Sequence, residues 1–122
     1  MKLTIRSDGF EGWAERARRR AAKIERKERI EPEMSITFED PLALAGVLTK
    51  ERLRLIKAVK QRPASVTSLA STLRRDPKAV RRDVGKLESV GVLRTRQQVN
   101  PGHGKVKIVE PVAQKYSLTA SF

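Results

Sequence analysis

Four cations recur close together in the stretch DPKAVRRDVGKLESVG: Lys78, Arg81, Arg82 and Lys86. Their spacing of three, one and four returns them to one side of a helix that turns every 3.6 residues. Val80, Val84 and Leu87 fall on the opposite side. Cations on the free face of a helix backed by apolar residues suit a polyanion. A guanidinium can also bond two acceptors on guanine at once, so Arg81 and Arg82 are the expected base readers. Lys78, Lys86, Arg74 and Arg75 are expected on phosphates, which fix register without reading sequence. Thr67 and Ser68, at the start of a shorter helix upstream, belong to the same expected DNA-contact set. Arg96, His103 and Lys105 extend it into a hairpin further on, with Arg94, Gln97 and Gln98 beside them. Basic residues on an ordinary helix are mostly just a solvated face; here they coincide with the face left open opposite the aliphatic residues. Asp83, among these cations, reads as the structural ion-pair partner of a nearby Arg. His103 lies in a Gly-flanked turn, as a solvated loop residue or a phosphate contact. Gly85 costs about 1 kcal/mol of helix propensity relative to Ala. Close approach to a backbone, of DNA or of a neighbouring helix, accounts for it.

Several elements must hold these residues. Asp76-Pro77 is a helix start, with Asp as N-cap and Pro where the missing N–H costs nothing. Gly91 caps the other end, so the helix is expected from Asp76 to Val90. Before it, Arg74–Arg75 is a turn, and Thr67 or Ser68 caps a brief helix that turns Leu69, Ala70 and Leu73 inward. Further upstream, Thr49 caps a helix from Lys50 to about Gln61, which Pro63 ends. Leu53, Ile56 and Val59, with Leu55, are expected on its buried face. After Gly91, Val92–Gln98 and Lys105–Val109 form a strand pair around Asn100-Pro101-Gly102-His103-Gly104, a loop dense in turn formers.

The N-terminal third has a different pattern. KLTIR at 2–6 and SITFE at 35–39 alternate as strands do and are expected to pair. Between them, Phe10 to about Ile30 is a helix rich in Ala, Glu, Arg and Lys, capped by Ser7 or Asp8 and stopped at Pro32. Phe10, Trp13, Ala14, Ala17, Ala21, Ala22 and Ile24 make a narrow apolar stripe on it. That stripe either packs on its own domain or joins two copies. Phe10 and Trp13 are core or interface anchors rather than base stackers. Pro41 opens a short apolar helix, Leu42 to Gly46, and residues 114–122 are a last candidate strand.

Composition narrows the function. The chain of 122 residues has a net charge of +13, no Cys and one His. Disulfides, thiolate metal sites and a His-based zinc site are excluded, and no cofactor is expected. No nucleophile–base pair, P-loop or glycine-rich dinucleotide motif is present, so an enzyme is not expected. The charge concentrates in residues 49–105, with 15 Lys/Arg against four Asp/Glu, which points to nucleic acid. No signal peptide or membrane-spanning run is seen, and a soluble, cytoplasmic protein is expected.

The stretch LTKERLRLIKAVKQRPASVTSLASTLRRDPKAVRRDVGKLESVGVL resembles the winged-helix superfamily that includes the MarR and ArsR regulators. Ser65, Val66, Leu69, Ala70, Leu73, Arg75, Asp76, Lys78, Val80, Arg82, Asp83, Val84, Leu87, Glu88 and Gly91 to Leu93 follow a pattern similar to small prokaryotic transcription regulators. Such regulators often lie beside toxin genes, and the resemblance implies a second role as an antitoxin. The absence of Cys means that no metal-sensing residues carry over from the ArsR type.

The expected fold is α+β, mainly α: a winged helix-turn-helix at 41–122 behind a strand-helix-strand extension at 1–40 for dimerisation or partner binding. The expected function is sequence-specific binding of double-stranded DNA by a homodimeric transcription regulator, helix 76–90 in the major groove and wing 92–109 over the adjacent groove or backbone. The alternative is an antitoxin that holds a toxin through its N-terminal extension and regulates its own gene. An RNA-binding role is a third reading, against which stands the lack of exposed aromatics for stacking bases.

Overall fold

A computed structural model describes residues 1–121. Phe122, the end of the last expected strand and of the expected C-terminal domain, lies outside the described residues. The fold is mixed, with five helices and five strands among the described residues. It divides into two compact units, residues 1–46 with 115–122, and residues 47–114. The boundary expected between 40 and 41 therefore moves, and the C-terminal segment leaves the unit to which it was assigned. The reason is strand pairing across almost the whole chain.

The first unit is built on β1 (Lys2–Ser7), which lies between β2 (Glu33–Thr37) and β5 (Lys115–Ala120). Both neighbours run parallel to β1, with Ile5 opposite Ile36 on one side and Leu118 on the other. The pairing of the first two expected strands is thus present, and a third strand joins it. As the central strand, β1 buries Leu3, Thr4, Ile5 and Ser7. A parallel pair needs a crossover, and α1 (Gly9–Glu25) supplies it. This helix ends before the expected Ile30 because Lys27 takes a left-handed conformation, φ 58°. Asp8 stands at the N-cap position but makes no capping bond; its carboxylate pairs with Arg16 instead. No residue of α1 is buried. Next comes α2 (Pro41–Val47), where Asp40 Oδ1 accepts from the Ala43 N–H at 2.8 Å.

The second unit contains α3 (Lys50–Gln61), α4 (Val66–Leu73), α5 (Pro77–Ser89) and the antiparallel hairpin of β3 (Leu93–Asn100) and β4 (Gly104–Pro111). Its core is aliphatic. Leu55, Val59, Leu69, Val80, Leu87, Val92, Leu93 and Val109 are at most 2% exposed. Burying each such side chain is worth about 1.5–3 kcal/mol before chain entropy is counted. Thr49 caps α3 as expected, its hydroxyl accepting from the Arg52 N–H. Leu53, expected inside, is 37% exposed. The buried arc of α3 centres instead on Leu55, Ile56 and Val59, and Leu53 lies about a third of a turn away from it. The cap of α4 is Ser65, whose hydroxyl accepts from the Ser68 N–H at 3.2 Å, rather than Thr67 or Ser68. Capping needs an extended residue with the helix starting just after it, and Ser65 meets that condition at ψ 161°. The link before α4 joins the hairpin through an antiparallel bridge between Ala64 and Val109.

Candidate nucleic-acid interface

The turn between α4 and α5 is made by Arg74, left-handed at φ 55°, while the Arg75 N–H reaches back to the Ala70 carbonyl at 2.9 Å. Helix α5 then starts where Asp76 Oδ1 accepts from the Lys78 N–H at 2.7 Å, with Pro77 in its first turn. It closes on Gly91 at φ 87°, as the Val92 N–H bonds the Leu87 carbonyl at 2.8 Å. These local signals set the length and ends of α5.

Its rotation is set by burial. Val80, Asp83, Val84 and Leu87 are buried, whereas Lys78, Arg81, Arg82, Gly85 and Lys86 are exposed. The four cations thus occupy one arc of a 13-residue helix, opposite the aliphatic residues. None of the four side chains has an ion-pair partner among the described residues. An added Cβ at Gly85 would meet nothing within 4 Å. Packing against a neighbouring helix of this chain therefore does not explain the glycine.

A buried acid reinforces this rotation. Asp83 accepts from Arg52 Nε at 3.1 Å and from Arg75 Nη1 at 2.8 Å. Arg52 also donates to the Val47 carbonyl at 3.0 Å, and Arg75 Nε lies 3.5 Å from Glu51 Oε2. One carboxylate in α5 thereby ties together the start of α3 and the turn after α4. Asp83 has the structural role read from its surroundings. Arg75 lies in the expected turn, but its side chain turns to these acids. Its side chain is only 18% exposed and is held by two acids, so it is not a free cation for phosphate. Arg52 was missed, although a signal existed: it lies three and four residues before Leu55 and Ile56, on the buried stripe of α3. A cation in that position requires an acid.

The hairpin carries fewer free charges than expected. Arg94 Nε and Arg96 Nε donate to the two oxygens of Glu110 at 2.7 and 2.9 Å, and Arg96 also donates to Gln98 Oε1. The hydrogen bond from Arg96 holds the Glu110 carboxyl below its usual range, burial opposes this, and Arg94 adds to it. Arg96 is accordingly a paired cation. His103 and Lys105 are exposed at the tip, where Gly102 and Gly104 have positive φ. Thr67, Ser68 and Arg74 are exposed at the two ends of α4. Among the described residues, no cluster of three or more His, Asp or Glu could hold a metal ion, and no helix is long and apolar enough to cross a membrane.

The model of the HVO_A0114 family matches residues 47–111, more than half of the chain. Among solved structures, the chain is similar to a possible transcriptional regulator from Methanosarcina mazei Go1, with 28% identity and a TM-score of 0.51 over 58% of this chain and 63% of that one. It is also similar to a point mutant of Lactococcus lactis ZitR, with 16% identity and a TM-score of 0.49 over 55% and 44% of the two chains. A second ZitR point mutant, in complex with DNA, aligns at 14% identity and a TM-score of 0.49 over 84% and 66%. The two ZitR alignments are too distant to bear on what this chain does. The chain spans less than two thirds of the length of each of these structures. No curated protein matches it.

Proposed function

The chain belongs to the HVO_A0114 family, and we propose that it is a winged helix-turn-helix transcription regulator that binds double-stranded DNA in a sequence-specific way. In this reading α5 enters the major groove and the β3–β4 hairpin is the wing, laid on the adjacent groove or backbone. The observation that carries it is the outward arc of Lys78, Arg81, Arg82 and Lys86, four exposed cations without acidic partners among the described residues. A row of unpaired cations on a short rigid helix is costly in self-repulsion unless a polyanion neutralises it. Arg81 and Arg82 read bases, and Lys78, Lys86 and Arg74 bind phosphates. Thr67 and Ser68 offer hydroxyls at the start of α4, and His103 and Lys105 extend the contact from the wing tip. The likeness to a possible transcriptional regulator agrees with this reading.

A filter assay with equal-length duplex DNA and duplex RNA, followed by footprinting on the promoter of the chain's own gene, tests it. Preference for DNA and a protected site are expected. Equal retention of both nucleic acids, with no protected site, would remove the proposal.

A further inference from the structure

Helix α1 buries none of its residues; Phe10 lies against Trp13, ring centroids 5.5 Å apart, and Ala14 and Ala22 are half-buried. Phe10 is 77% exposed, Trp13 58% and Ile24 60%, and Ala17 and Ala21 are exposed between them. Phe10, Ala14, Ala17, Ala21 and Ile24 are spaced four, three, four and three residues apart. That spacing makes a straight seam for a second helix. We infer that α1 pairs antiparallel with α1 of a second copy of this chain, with Phe10 opposite Ala21 and Ala14 opposite Ala17.

Size and charge select this arrangement. In the antiparallel register the large Phe10 faces the small Ala21 at both ends, with Ala on Ala between them, so no two large side chains oppose each other. Small residues at the seam let the axes come as close as about 8 Å. A parallel pair would set Phe10 on Phe10 and leave gaps beside the alanines, and it would align the two helix dipoles unfavourably. Flanking the seam, the same register brings Glu11 beside Arg18 of the second copy and Trp13 beside Arg20, a cation over an aromatic ring. Sliding by one heptad instead sets Arg18 against Arg18 and Arg20 against Arg20. Glu11 has no ion-pair partner of its own among the described residues. Arg18 has only a loose bond to Glu15, at 3.4 Å on a side chain 72% exposed. Both are free to pair across the seam.

Sedimentation of the full chain, without nucleic acid, tests the inference independently of the DNA reading. A dimer is expected at micromolar concentration. Ala21→Glu should raise the dissociation constant at least about tenfold with unchanged circular dichroism, since α1 has no buried residue. Glu11→Lys alone should weaken the dimer about tenfold, because two attractions become repulsions. Adding Arg18→Glu should restore it. A monomer up to about 0.1 mM overturns the inference, as does a dimer indifferent to Ala21→Glu. Failure of the double variant to regain affinity overturns the antiparallel register. Binding of the monomer to anionic phospholipid vesicles, read by Trp13 fluorescence, would assign the stripe to a lipid surface and overturn it likewise.

Discussion

Arg75 Nη1 lies 2.8 Å from Asp83 Oδ2, joining the turn before α5 to the inner face of α5 itself. Because Arg52 holds the other oxygen of the same carboxylate, the acid is shared by two arginines from two elements. The side chains involved are 12–18% exposed, so water screens these bonds only in part. The relationship takes Arg75 out of the free cations and makes it part of the support beneath them.

Asp83→Asn should therefore destabilise the second unit by about 3 kcal/mol, since it removes the carboxylate that two part-buried guanidiniums share and leaves Arg75 only its longer contact with Glu51. Urea denaturation checks this. An unchanged midpoint would mean that the cluster contributes nothing to holding α5.

Lys78 and Arg75 should separate in their salt dependence. Lys78→Ala is expected to weaken DNA binding on all sequences alike and to reduce the slope of log K against log salt by about 0.9. Arg75→Ala should lower stability while leaving that slope where it was. Equal slope changes in titrations of the two variants would return Arg75 to the phosphate contacts.

Arg81→Ala and Arg82→Ala should each lose about 1–3 kcal/mol of discrimination at one guanine. Competition binding with operator variants measures this. Parent-like behaviour of both variants would show that α5 does not read bases.

Gly85→Ala should stabilise the protein by about 1 kcal/mol, because the added methyl has open space around it and glycine is a poor helix former. DNA affinity should fall, because the methyl stands on the cationic face. A gain in stability with full affinity would leave the glycine without a role in backbone approach.

Capping gives a further contrast. Ser65→Ala should cost about 1 kcal/mol, and Thr67→Ala less than about 0.5. Thermal or urea unfolding of the two variants decides which residue starts α4, and the reverse order would contradict the cap at Ser65.

Much of α5 was legible in the chain itself. Asp76-Pro77 opens it, Gly91 closes it, and Val80, Val84 and Leu87 orient it. All of these act over one or two turns, which a linear reading can follow. The same applies to the Thr49 cap of α3 and to the glycine-rich tip of the hairpin. The helix stop at Lys27 was less legible, because a left-handed Lys carries no compositional mark of the kind that Pro32 does.

What the order of residues determined by itself is therefore the identity of most elements, the phase of α5, and which cations α5 turns outward. What only the tertiary structure decided is which cations are free. Arg75 and Arg96 look like Arg81 and Arg82 in composition, yet Asp83 and Glu51 hold the first and Glu110 the second. Likewise, β5 joins β1 from the far end of the chain. Caps and helical phase depend on neighbours a few bonds away, whereas ion pairing and strand pairing depend on distance in space, which appears only once the chain has folded back on itself.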